Sequence, residues 1–171
     1  MGNDPSFREA AEEIGRMIAG EGDTLIYGGS GVGLMGILAD AALSGGAEVI
    51  GVEPQFFLDR GLLYEGITKT IPTETMAERK VLMMEMGDAY IALPGGIGTL
   101  DEITEVITLA ALDRHRKPCI LYNKNGYYDP LAEVFDRMTA AGFLSEAARK
   151  KVHFAADADE IRAILKGTRY S

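Results

Sequence analysis

The sequence predicts an open α/β fold, a parallel sheet with helices on both faces, and three observations point to it. Short apolar runs alternate with longer segments whose apolar residues recur three and four apart. Two of those runs, residues 24–27 and 88–93, lead straight into glycine-rich turns that open helices. No repeat, low-complexity tract or linker interrupts the alternation, so residues 1–171 read as a single domain with room for a sizeable core.

Residues 6–19 read as a helix with Phe7, Ala10, Ala11, Ile14, Met17 and Ile18 on one face, ended by Gly20-Glu21-Gly22-Asp23. Residues 24–27 form a short strand. The run Gly28-Gly29-Ser30-Gly31-Val32-Gly33-Leu34-Met35-Gly36 then opens an alanine-rich helix over 37–43, stopped by Gly45-Gly46. A strand over 47–52 completes a βαβ unit with a glycine-rich first turn. Residues 54–66 read as irregular, with Phe56 and Phe57 outward as a lid or partner surface. A strand over 67–71 follows, then a helix over 75–86 opened by the capping-box pattern Thr75-x-x-Glu78. Beyond the strand at 88–93, a helix carries Leu100, Ile103, Val106, Ile107 and Ala110 on one face. Residues 119–122 form a strand, and Asp129-Pro130 starts a helix through 138 with proline in its first turn. A strand over 152–155 and a helix over 158–165 close the chain.

The chemistry gathers on Leu93-Pro94-Gly95-Gly96-Ile97-Gly98-Thr99-Leu100-Asp101-Glu102. Three glycines and a threonine sit between a strand and a helix start. Glycine lets a ligand approach the backbone closely, and the first amides of the helix favour negative charge, so the natural guest is a phosphate. Glu102 repels a phosphate. It reads either as an acid favoured by the helix dipole or as a carboxylate facing the sugar end of a nucleotide and doing chemistry there. Gly31-x-Gly33-x-x-Gly36 has the form of a dinucleotide fingerprint, with Glu53 near the spacing of a ribose-binding acid, although tight helix–strand packing asks for the same glycines. Arg79 and Lys80 near a helix start are mildly unfavourable there unless a ligand brings an anion. A guanidinium can hold phosphate or carboxylate in two bonds, while Lys80 also fits a solvated face.

Other features read as structure. Arg114-His115-Arg116-Lys117 suits a helix C-terminus, and Met83, Met84 and Met86 read as adaptable core filling. His115 and His153 have no metal-ligand spacing. No Ser-His-Asp arrangement or Schiff-base lysine pattern stands out. With 17 basic and 26 acidic residues the net charge is −9, which argues against a nucleic-acid polymer or an anionic membrane as partner. A lone Cys119 in a strand, no secretory signal and no membrane-length apolar run suit a cytoplasmic protein.

The stretch Pro94-Gly95-Gly96-Ile97-Gly98-Thr99-Leu100-Asp101-Glu102 resembles the PGGxGTxxE motif of the LONELY GUY family, cytokinin riboside 5′-monophosphate phosphoribohydrolases long labelled lysine decarboxylase-like. Three further stretches agree with that family: residues 27–36 with its YGGxxxGLMG loop, Met76-Ala77-Glu78-Arg79-Lys80 with its MxxRK segment, and Gly126-Tyr127-Tyr128-Asp129-Pro130-Leu131 with its GYYDPL segment. The resemblance implies a Rossmann-like fold, usually homodimeric, that frees the base from a nucleoside 5′-monophosphate, cytokinin or adenosine type, with no metal or redox cofactor. It places the catalytic pair on Arg79 and Glu102. Nucleotide contacts fall on Gly28, Gly29, Gly33, Met76, Lys80, Gly95, Gly96, Gly98, Thr99 and Thr108. The chain departs from the family pattern at Gly61, where a glutamate often precedes the leucine matched by Leu62, and at Gly51-Val52-Glu53-Pro54, where GVIP is common.

Cleaving an N-ribosidic bond builds positive charge on the sugar ring, as in glycoside hydrolysis. Glu102 then stabilises that charge and orients or deprotonates water, while Arg79 holds the phosphate or the Glu102 carboxylate. The proton for the leaving base has three candidate sources, Glu105, Glu78 and solvent. Two competing readings are a non-catalytic nucleotide or cofactor carrier of the same fold, and an NAD-type dehydrogenase suggested by the first glycine loop and Glu53. Phe56, Phe57 and the apolar helices suggest a homodimer. The family usually begins with a strand ahead of the segment matching residues 2–7. The expectation is therefore that this numbering starts inside the natural protein, or that another segment fills the gap, because a central strand left out leaves inner edges unpaired.

Overall fold

The computed structural model describes residues 2–58 and 64–169. The chain forms two compact units, Met1–Gly87 and Asp88–Ser171. Each holds a three-stranded sheet, every strand pair is parallel, and helices flank the strands, so the α/β class is as expected.

In the first unit, α1 (Pro5–Glu21) starts at Asp4, whose carboxylate accepts from the Ser6 N–H at 2.9 Å, with Pro5 in the first turn. It ends at Gly22, whose φ of 71° gives the left-handed cap that glycine adopts without strain. Its buried residues Ala10, Ala11, Ile14, Met17 and Ile18 are ones the apolar spacing selects, Gly15 joins them, and Phe7, expected on the same face, is half-buried. They face α2 (Gly33–Ser44), and a Cβ on Gly15 would strike Ala41 and the Leu38 carbonyl of that helix, so the two helices meet at small residues. The strands β1 (Leu25–Tyr27), β2 (Val49–Pro54) and β3 (Lys69–Thr73) lie in the order β1-β2-β3. β3 is shifted two residues from its expected place and contains Pro72. An edge strand tolerates the missing N–H.

Residues 54–66 are not irregular throughout: Pro54 completes β2, and α3 (Gln55–Leu58) stacks the Phe56 and Phe57 rings 4.4 Å apart. Phe56 is exposed and Phe57 half-buried. The Gly61 and Leu62 positions lie outside the described residues. Helix α4 (Met76–Met86) is capped by Thr75, which accepts from the Glu78 N–H, but Glu78 reaches back to the Glu74 N–H at 2.8 Å, one residue beyond the expected box partner. Met83, Met84 and Met86 are half-buried, so they do not fill a core; the one buried side chain of α4 is Arg79.

In the second unit, β4 (Tyr90–Ala92), β5 (Cys119–Tyr122) and β6 (Val152–Ala155) pair in that order. All four residues of β5 are sealed from solvent; Ile120 and Leu121 each contribute roughly 2 kcal/mol by leaving water. Burial pushes the Cys119 thiol up to about 11, so it is an unreactive core group. Helix α5 (Ile97–Ala111) buries Ile103, Val106, Ile107 and Ala110 as its spacing requires. At its C-terminus Lys151 donates to the Ala110 carbonyl at 2.7 Å and pairs with Asp113. The cluster 114–117 lies past the helix end, and His115 Nε2 is 2.9 Å from the Val106 carbonyl. Helices α6 (Asp129–Ala140) and α8 (Ala158–Arg169) extend a few residues beyond their expected ends. The short α7 (Glu146–Arg149), capped by Ser145, was not foreseen.

Strands β1 and β4 are each an edge of their own sheet. Among the described residues no helix is long and apolar enough to cross a membrane.

Candidate active site

The first unit gathers Gly28, Gly29 and Arg79 at the C-terminal ends of β1 and β2. Arg79 stands one turn into α4 and is 8% exposed; its Nε donates to the Val52 carbonyl at 2.9 Å. A Cβ on Gly28 would collide with Arg79 Nη2, so this glycine is needed to seat the guanidinium. The next glycine does the same for an acid: a Cβ on Gly29 would lie 3.0 Å from Glu53 Oε2. A Cβ on Gly36 would strike the Gly31 carbonyl, which closes the turn into α2. Gly33, with φ of 68°, takes the left-handed conformation at the first position of that helix. Met76 is exposed at the start of α4 and Lys80 is half-buried beside Arg79 in sequence.

Glu53 is 4% exposed and lies against the loop backbone. Its burial removes the support for a dinucleotide reading, which needs a carboxylate presented to a ribose. Burial holds the Glu53 carboxyl above the usual carboxylate range, and the Arg79 charge pulls against that shift.

In the second unit the loop after β4 is built differently. Gly96 is the N-cap of α5 and offers no side-chain cap, and among the described residues no atom beyond the local turn lies within 4 Å of a Cβ placed on Gly96 or Gly98. That leaves open space beside the first amides of the helix, where an anion is favoured. Gly95 is different, because Thr99 folds back into its Cβ position. Glu102, in the second turn of α5, is half-buried. Thr108 is nearly three turns beyond Gly98. It is exposed, and its hydroxyl donates to the Thr104 carbonyl at 2.7 Å. Of the candidate proton donors, Glu78 is exposed and committed to its capping bond.

Two residues that the sequence offered only as motif letters brace this loop. Tyr127 donates to the Gly95 carbonyl at 2.7 Å and Tyr128 to the Leu93 carbonyl at 2.6 Å. Asn123 in turn accepts from the Tyr128 N–H and donates to Asp129, fixing both tyrosines on a turn whose Asn125 and Gly126 are left-handed. Tyr128 is buried, and that burial raises its hydroxyl pKa, so it stays a neutral donor.

The sequence profile of a family described as "Possible lysine decarboxylase" matches residues 35–165. A cytokinin riboside 5′-monophosphate phosphoribohydrolase from Rhodococcoides fascians is 42% identical over 166 residues, covering 96% of this chain and 84% of the relative. The chain belongs to the LONELY GUY family. The rice protein of that activity named LOG is 41% identical, covering 99% of this chain and 69% of its own length, and Arabidopsis thaliana LOG7 is 42% identical over 94% and 74%. Among solved structures, a molybdenum cofactor binding protein from Rippkaea orientalis superposes with a TM-score of 0.74 at 21% identity, over 96% of this chain and 89% of that one. The molybdenum cofactor carrier protein of Chlamydomonas reinhardtii gives 0.74 at 22%, over 99% and 91%. At that identity the likeness establishes the shared fold.

Proposed function

We propose that this chain, acting as one nucleotide-binding domain, hydrolyses the N-glycosidic bond of a purine nucleoside 5′-monophosphate to free base and ribose 5-phosphate. The observation that carries the reading is the open start of α5, with the Cβ positions of Gly96 and Gly98 unfilled among the described residues and Glu102 following in the second turn. The names of relatives at about 40% identity support the same reaction.

In the second unit the amides of residues 97–99 suit the 5′-phosphate, and in the first unit Arg79 and Lys80 offer charge that suits an anion. The nucleotide contacts proposed for the first unit are Gly28, Gly29, Gly33 and Met76, and those for the second are Gly95, Gly96, Gly98 and Thr99, with Thr108 farther along α5. Remote binding of this kind fixes the reacting carbon. As the bond from C1′ to the base nitrogen lengthens, positive charge grows on the ring, and the Glu102 carboxylate stabilises it. Water, oriented and deprotonated by Glu102, adds its oxygen to C1′. The bonding pair leaves with the base, which takes a proton from solvent or Glu105. We propose a cytoplasmic homodimer, supported by the exposed apolar side chains of Val32, Phe56, Ile97 and Leu112.

Incubation with adenosine 5′-monophosphate tests the reaction. Adenine and ribose 5-phosphate in equal amounts are expected, with adenosine itself left intact. Adenosine plus inorganic phosphate, or unchanged nucleotide, would overturn the reading. Sedimentation at micromolar concentration tests the assembly, and a monomer there contradicts it.

A further inference from the structure

Strand β2 sets against the first loop a carboxyl that the hydrolysis does not use. Glu53 is 4% exposed in a strand buried along its whole length, and its Oε2 is buried without a hydrogen-bond partner. Leaving a buried polar group unpaired costs about 1–3 kcal/mol, and more for a charge. Such a group persists where a nearby charge offsets the cost. Here that charge is Arg79, bonded through Nε to Val52, the residue before Glu53. The two side chains occupy neighbouring glycine positions, Arg79 at Gly28 and Glu53 at Gly29.

Of the elements packed on β2, α4 brings Arg79 and β1 brings Tyr27, whose buried hydroxyl also has no hydrogen-bond partner. Beyond Tyr27 stand Asp40 of α2 and Tyr64, which donates to Asp40. β3 carries Lys69 opposite Ile50, at the far end of β2, and α3 has no titratable group.

We infer that Glu53 is a positioning residue that compensates the charge of Arg79, so that an anion binding at Arg79 is coupled to uptake of a proton by Glu53. The inference rests on the reading of Arg79 as a phosphate-holding group. With the carboxyl ionised, part of the guanidinium charge is already answered. When the carboxyl takes a proton from solvent, one negative charge beside the guanidinium is removed and its pull on the phosphate strengthens. Coupling of this kind is reciprocal, so bound phosphate also tightens the hold of Glu53 on its proton. Nucleotide affinity therefore falls as pH rises through the titration of Glu53. The phosphate of the nucleotide changes charge near pH 6 as well, and a variant without the carboxyl separates the two effects.

The test is calorimetric binding of adenosine 5′-monophosphate from pH 5 to 8, in buffers of differing ionisation heat. It compares Glu102→Gln, chosen so that nucleotide is not consumed, with the same protein also carrying Glu53→Gln or Glu53→Ile. Both double variants should bind roughly five- to tenfold more tightly than Glu102→Gln at pH 7.5, in the usual range of such couplings. The ratio should fall toward one as the pH is lowered through the titration of Glu53, and the excess proton uptake should vanish in the double variants. A ratio independent of pH, weaker binding in both double variants, or no binding in any protein overturns the inference. The outcome is separable from the proposed reaction. Coupled binding without base release by the parent would overturn the hydrolysis alone, whereas base release with a pH-independent ratio would overturn the Glu53 coupling alone.

Discussion

The two glycine loops have similar compositions and opposite interiors. In the first, the space a side chain would take at Gly28 and Gly29 is filled by Arg79 and Glu53, and at Gly36 by the backbone of Gly31. In the second, Gly96 and Gly98 leave that space empty, while Tyr127 and Tyr128 hold the loop from outside through the carbonyls of Gly95 and Leu93. A glycine-rich turn at a helix start thus does one of two jobs. It admits the protein's own distant side chains to the backbone, or it leaves that space open.

The largest effect should come from the acid that follows the open loop. Glu102→Gln keeps the size of the side chain and removes its charge, so base release should fall a hundredfold or more while the fold persists. Initial rates of adenine formation and a thermal melt check both halves. A parental rate in this variant would remove Glu102 from the chemistry.

The closed loop should respond in stability. Gly36→Ala places a methyl against the Gly31 carbonyl, which cannot swing away as a side-chain tip can. A loss of about 3 kcal/mol is expected from forced overpacking, read by denaturant unfolding. Gly98→Ala meets no atom and should cost roughly 1 kcal/mol or less. Equal losses at the two positions would erase the contrast.

Smaller again is the brace. Tyr128→Phe removes one donor and leaves the Leu93 carbonyl to find another, for a cost of about 1 kcal/mol. A KM for nucleotide that rises while kcat holds would tie that bond to the shape of the loop.

Much of this was legible in the sequence because it depends on local spacing. The caps at Thr75 and Gly22, the buried face of α5 and the limits of β5 and β6 follow from neighbours within a few residues. The partners of the glycines were not legible. Arg79 and Glu53 reach Gly28 and Gly29 from residues 51 and 24 positions away in the chain, and no local pattern reports which side chain fills a missing Cβ. The same holds for Tyr127 and Tyr128, more than thirty residues from the carbonyls they hold, and for Lys151 at the end of α5, a place the spacing had offered to the nearer cations 114–117. One local signal was available: Arg79 stands near the start of α4, where the helix dipole disfavours a cation unless an anion is near.

The division of labour between the loops is tested most directly by kcat and KM for adenosine 5′-monophosphate in Gly28→Ala beside Gly96→Ala. Gly28→Ala pushes the Arg79 guanidinium from its seat, so kcat should drop at least tenfold as the positioned charge is lost. Gly96→Ala leaves the protein's own contacts intact and crowds the ligand, so KM should rise about tenfold with kcat within a factor of about two to three. Matching changes in the two variants, or a parental KM in Gly96→Ala, would contradict the account.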